Sequence, residues 1–273
     1  KIATETSGIA LTIGHTTSEV TVADNLTVTG DFAASNFKYA GTNFTGSLIV
    51  GHSTTGTLDA ASNNTVVGIN ALDAITSGDD NTAVGYNAAT ALTTGQYNTY
   101  IGRNSGSNNA TANHNTGVGR YSLYYNTNGA ENVAVGSAAL NGNGAFARNT
   151  AIGYNALTAV TSGTANIGLG YQAGNNITTG SGNVVIGNAD VTADADDQLS
   201  ISTGDDGSVV WMTGDSSAKL TFPGALQVSG AVTVGVDDTG LDVKFFGASA
   251  GAYMEWDESA DQLRIMGASA DAT

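Results

Sequence analysis

The sequence predicts an all-β chain organised around a parallel β-solenoid of 17-residue coils, and three observations lead there. The first is an exact spacing. Asn64, Asn81, Asn98, Asn115, Asn132, Asn149, Asn166 and Asn183 follow one another at intervals of 17. Each is followed four residues later by a glycine: Gly68, Gly85, Gly102, Gly119, Gly136, Gly153, Gly170 and Gly187. The second is chemical agreement within columns. The residue before each glycine is always aliphatic, namely Val67, Val84, Ile101, Val118, Val135, Ile152, Leu169 and Ile186. The third is composition. The 273 residues include 37 Gly, 1 Pro and no Cys, and Thr, Ser and Asn are abundant among the rest. These are residues of short strands and tight turns, and no stretch reads as helix.

Residues 1–46 read as an N-terminal segment of short strands, with the alternating run Leu26–Gly30 as its clearest element. The solenoid is expected over 47–190, because Ser47 with Val50 and Gly51 forms a degenerate copy one period upstream. Within a coil, Leu72, Leu123, Leu140, Leu157 and Val191 share the column eight residues after the Asn. Ile75, Leu92, Val160 and Ile177 share the column at eleven, where the middle coils carry Asn109, Asn126 and Asn143. Gly78, Gly95, Gly129, Gly163 and Gly180, fourteen after the Asn, mark a second turn. A coil therefore reads as a short strand, a bend, a second short strand and a glycine turn. One such unit cannot bury its apolar column, but stacked copies form internal ladders of Val, Ile and Leu. At about 4.8 Å per coil the stack is roughly 40 Å long. The recurring Asn is expected at a corner, its amide bonding along the stack and its backbone at φ > 0.

The column after the glycine differs: Ile69, Tyr86, Arg103, Arg120, Ser137, Tyr154, Tyr171 and Asn188. Its variability points to solvent or to another chain, and Tyr and Arg are favoured contact residues. Tyr86, Arg103, Arg120, Tyr154 and Tyr171 are the candidate contact column. Residues 191–273 read as an acidic β-rich segment, with Leu226–Gly230, Ala231–Gly235 and three runs beginning at Val243, Ala252 and Gln262 as strands.

The runs Asn81-Thr-Ala-Val-Gly-Tyr-Asn-Ala and Asn149-Thr-Ala-Ile-Gly-Tyr-Asn-Ala-Leu resemble the head repeats of trimeric autotransporter adhesins. They resemble still more closely the repeat arrays of bacteriophage tail-fibre proteins. The likeness covers residues 47 to 190. It implies a left-handed β-roll or β-helix bundled as a homotrimer, in which small residues permit close packing. The implied role is a structural fibre subunit of a virus particle, contacting other virion proteins and a glycan or protein of the host surface. The bacterial surface adhesin head is the alternative, and a polysaccharide-degrading phage spike a more distant one.

Charge excludes other classes. The net charge is −16, and residues 190–273 alone hold fifteen acidic and three basic residues. Such a chain repels phosphate backbones, so nucleic-acid binding is not expected. No apolar run approaches a membrane span. The absence of Cys removes thiolate chemistry, and His15, His52 and His114 lack metal-ligand spacing. No catalytic constellation and no cofactor motif is read. Asp190, Asp194, Asp196 and Asp197 form an acid cluster that a calcium ion could use, but the closing Glu of an EF-hand is missing. Asp205 with Asp206, Asp237 with Asp238, and Asp257 with Glu258 and Asp261 are further acid groups. Nothing in their spacing selects a glycosidase pair. Two interrupted Thr columns, one through Thr65 and one through Thr76, would suit an ice-binding face if they were continuous.

Overall fold

A computed structural model describes residues 37–41, 44–50, 60–204, 206–228, 243–246, 253–257 and 262–266. The chain divides into two units, 1–223 and 224–273. The first opens with β1 (Phe37–Gly41) and β2 (Phe44–Val50), which pair antiparallel, followed by the two-residue β3 (Ala61–Ser62). Eight three-residue strands then recur: β4 (Thr65–Val67), β5 (Thr82–Val84), β6 (Thr99–Ile101), β7 (Thr116–Val118), β8 (Val133–Val135), β9 (Thr150–Ile152), β10 (Ile167–Leu169) and β11 (Val184–Ile186). Each pairs in parallel with the next at an offset of 17, as in Thr99 with Thr116. The degenerate upstream copy belongs to this ladder, since β2 sets Leu48 opposite Thr65 and Val50 opposite Val67.

The parallel ladder continues past residue 190. A shortened coil brings β12 (Leu199–Thr203) beside β11, with Leu199 opposite Val184. β13 (Val209–Gly214) and β14 (Leu220–Thr221) then add antiparallel strands to that end. Both ends of the described parallel stack are thus flanked by antiparallel strands.

The Asn column holds the coils in step. Asn115 Nδ2 donates to the Gly129 carbonyl of its own coil at 3.0 Å, and its Oδ1 accepts from the backbone N–H of Asn132 at 3.0 Å. The pattern recurs from Asn64 to Asn183, whose Oδ1 receives the N–H of Gln198. All eight side chains are buried. The left-handed backbone expected of these Asn residues lies one position earlier, at Asp80, Tyr97, His114, Glu131 and Arg148. The Asn itself needs its N–H aligned with the ladder, and the preceding residue makes the corner.

Three further left-handed positions shape each of the seven coils from Asn64 to Asn166. In the coil that begins at Asn115 they are Gly119 at φ 135°, Tyr121 at 59° and Leu123 at 52°. The second short strand expected there is therefore a series of turns, because left-handed residues break a pleat. The stack still captures it: Leu123 N–H donates to the Ala139 carbonyl at 3.1 Å. Glycine is required at Gly119, where a Cβ would lie 2.4 Å from the Gly136 carbonyl oxygen. The glycines fourteen after the Asn have another reason. They are not left-handed, but a Cβ on Gly78 would lie 2.3 Å from the Gly95 carbonyl oxygen, so coil contact excludes a side chain.

The core corrects one expectation. Each three-residue strand turns only its middle side chain inward: Val66, Ala83, Tyr100, Gly117, Ala134, Ala151, Gly168 and Val185. Alternation then sends the aliphatic column that begins at Val67 outward. The interior is filled instead by the columns at eight and eleven, led by Leu72, Leu123, Leu140, Leu157, Ile75, Leu92, Val160 and Ile177, and by Ala at seven. Tyr100 is a compensated exception. Its ring occupies the space that side chains on Gly106 and Gly117 would take, and Asn109 Nδ2 donates to its hydroxyl at 2.7 Å. Complete burial raises the Tyr100 pKa well above that of a free phenol. Asn126 closes a local turn with Gly129, whereas Asn143 is exposed and Phe146, three residues on, fills the core.

The second unit contains an antiparallel sheet of β15 (Val243–Phe246), β16 (Tyr253–Asp257) and β17 (Gln262–Met266), matching the three runs expected there. Residues 226–228 carry no strand, which departs from the expectation for Leu226–Gly230. Leu26–Gly30 and Ala231–Gly235 lie outside the described residues.

Two substitutions test these constraints by denaturant unfolding. Gly119→Ala forces a Cβ into an occupied left-handed position and is expected to cost about 3 kcal/mol or more. Asn115→Ala strands the Asn132 N–H in the interior and leaves the Gly129 carbonyl with Asn126 as its remaining donor, at roughly 2 kcal/mol. A loss below about 0.5 kcal/mol in either, the range of surface changes, would contradict this account of the ladder.

Candidate interaction surface

Two surfaces of the solenoid are built by the repeat and remain exposed in the single chain. The first is the outer face of the parallel sheet. Alternation directs the first and third residues of every strand to it, so Thr and aliphatic side chains stand side by side. One column runs Thr65, Thr82, Thr99, Thr116, Val133, Thr150, Ile167 and Val184, and the other is the aliphatic column from Val67 to Ile186. Neither column contains a charged residue in eight coils. Ile101 is 39 % exposed and Ile152 44 %. These positions were expected inside, and alternation with the small middle residues is the signal that places them outside.

The second surface is the contact column, which lies exposed along the neighbouring edge. Tyr86, Tyr154 and Tyr171 expose about half their area, and Arg103 and Arg120 are exposed as well. The structure joins them through residues the column did not include. Arg103 Nη1 donates to the Tyr121 hydroxyl at 2.9 Å, and its guanidinium lies 5.8 Å from the Tyr86 ring centre and 5.6 Å from that of Tyr121. Arg120 lies 4.5 Å over the Tyr121 ring. The Arg103 hydrogen bond, seconded by Arg120, draws the Tyr121 pKa below that of a free phenol. Tyr121, Tyr124 and Tyr125 continue the group edge to face, with ring centres 5.1 and 4.4 Å apart. Tyr154 and Tyr171 stack at 5.5 Å in the same column. Tyr121, Tyr124 and Tyr125 follow Arg120 closely in the sequence, and that run was the available signal.

The other candidates have structural duties. Asp194 accepts from Thr178 and Thr179, and Asp196 from the Ser181 N–H, so both fasten the last coils together. The hydrogen bonds of Asp194, that of Thr178 first, lower its pKa, while partial burial raises that of Asp190. Among the described residues no group of three His, Cys, Asp or Glu side chains is placed to hold a metal ion. His114 stacks on Tyr97 with ring centres 5.0 Å apart. His15, His52, Asp205, Asp237, Asp238, Glu258 and Asp261 lie outside the described residues. Of the two Thr columns, the one through Thr76 turns hydroxyls to the next coil, as in Thr76 to the Thr93 carbonyl and Thr93 to the Ala110 carbonyl, both 3.0 Å. Among the described residues no helix is long and apolar enough to cross a membrane.

Compared with protein-family models, curated proteins and solved structures, the chain matches none.

Proposed function

We propose that this chain is a structural fibre subunit of a virus particle, a phage tail or side fibre that works as a homotrimeric rod and as a host-attachment element. The observation that carries the reading is the charge-free Thr and aliphatic face repeated through eight coils. In a chain with 24 acidic residues, an uncharged strip of this length is a surface for another protein. At about 4.8 Å per coil the strip is roughly 34 Å long. With a width near 10 Å it offers on the order of 350 Å², within the range of functional apolar patches. A second and third copy present the same ladder at the same spacing, so side chains interdigitate coil for coil. Closed three-fold association covers the strip on every copy. The resemblance of the coils to tail-fibre arrays supports the virion role, and the antiparallel strands flanking the stack suit a rod that must not polymerise end to end.

Light scattering of the purified chain tests the association. The expected mass is close to three times 27.3 kDa. The double variant Val135→Lys, Ile152→Lys buries ammonium groups between copies, at several kcal/mol each, roughly. It is expected to shift the chain to monomer with an unchanged far-ultraviolet spectrum. A monomeric parent chain would refute the trimer. Antibodies raised against the solenoid separate the two cellular readings: labelled phage tails support the fibre, whereas labelled cell envelopes identify a bacterial surface adhesin.

A further inference from the structure

The arginine and tyrosine edge brings two arginines into one stretch that holds no acidic residue. From Asn81 to Ala130 there is no Asp or Glu, while Arg103 and Arg120 both lie in that stretch. The stretch between Asp80 and Glu131 is thus locally cationic, by two charges, on a chain of net charge −16. Arg264 pairs with Glu255 in the other unit. The guanidinium groups of Arg103 and Arg120 instead meet Tyr rings and a Tyr hydroxyl. Guanidinium has five N–H donors, and stacking leaves most of them open to an oxyanion. The neighbouring Tyr86 and Tyr125 are 46 % and 45 % exposed, which leaves ring surface free for further contact.

The geometry of the column adds a direction. Tyr86, Arg103, Arg120, Tyr154 and Tyr171 occupy equivalent positions in coils that stack at a fixed spacing. From Tyr86 to Tyr171 the row spans five coil steps, roughly 24 Å. It is a linear track, cationic in the middle and aromatic at both ends. A linear polymer carrying regular negative charge and apolar C–H faces fits such a track. Carboxylate or sulfate accepts paired hydrogen bonds from the guanidinium forks, and sugar ring faces lie against Tyr. We propose that this row binds an anionic polysaccharide, with Arg103 and Arg120 holding its acidic groups and Tyr86, Tyr154 and Tyr171 stacking on its sugar rings. The inference gives the attachment role a ligand class and rests on that reading only for its biological setting. Binding is measured on the purified chain, independently of mass and of particle labelling.

The test is isothermal titration of the full chain with polyuronate, dextran sulfate and neutral dextran, at low and at elevated salt. Binding of polyuronate or dextran sulfate, weakened by salt and absent for neutral dextran, is expected; which of the two binds distinguishes a carboxylated from a sulfated ligand. Arg103→Ala with Arg120→Ala is expected to weaken it at least tenfold. Arg103→Lys with Arg120→Lys, which keeps charge but not the fork, should fall between. Arg148→Ala, on another column, should bind as the parent does. Melting curves confirm that each variant is folded. Equal binding of neutral dextran, an equal loss in Arg148→Ala, or no binding of either anionic polymer would overturn the proposal. So would an Ala double variant that changes only the solution mass, because the row would then face the acidic 190–273 segment of another copy.

Discussion

The structure depends on a ladder of buried amides. Each repeat Asn joins two directions at once: its Nδ2 closes its own coil on the carbonyl at position fourteen, and its Oδ1 accepts from the next coil. A buried amide is tolerated only when both ends are satisfied, so the ladder demands that every coil present the same partners at the same place. That demand keeps the eight Asn coils in one register, is met after Asn183 by the Gln198 N–H of a shortened coil, and leaves other columns free to vary. The aromatic and basic substitutions in the column after the glycine follow from this freedom, since nothing in the ladder touches them.

Much of this architecture was legible because a period is a long-range signal that needs no local propensity. Eight Asn residues in register located the parallel ladder, and Ser47 located its first strand. The direction of side chains was less legible. The unbroken aliphatic column from Val67 to Ile186 looks like a core, but a three-residue strand has one inward position, and Ala or Gly fills it in five of eight coils. The turns at Tyr121 and Leu123 were hidden as well, because bulky side chains seldom adopt left-handed backbone and carry no turn signature. Stacking over-determines those conformations through hydrogen bonds on both sides.

The candidate surface was half legible. Variability singled out Tyr86, Arg103, Arg120, Tyr154 and Tyr171, and all five are exposed along one edge. Tyr121 was missed because it sits one position further along, at a left-handed residue that swings its ring back between the two arginines. Only the three-dimensional stack shows that residues 18 apart can meet where residues 17 apart define the column.

The Tyr100 exchange bears on how a chain of near-identical coils finds its correct stacking. Slippage by one whole coil preserves the Asn ladder and the backbone hydrogen bonds, so the repeat alone discriminates poorly between native and skipped arrangements. Tyr100 is accommodated because the next strand offers Gly117 at the facing position, where a Cβ would lie only 3.0 Å from the ring. If the coil that begins at Asn98 skipped that neighbour and stacked on the following one, the ring would meet Ala134, whose methyl would crowd it. One oversized residue and its glycine partner thus act as a registration key, raising the energy of kinetic traps that the periodic framework would otherwise leave degenerate with the native state.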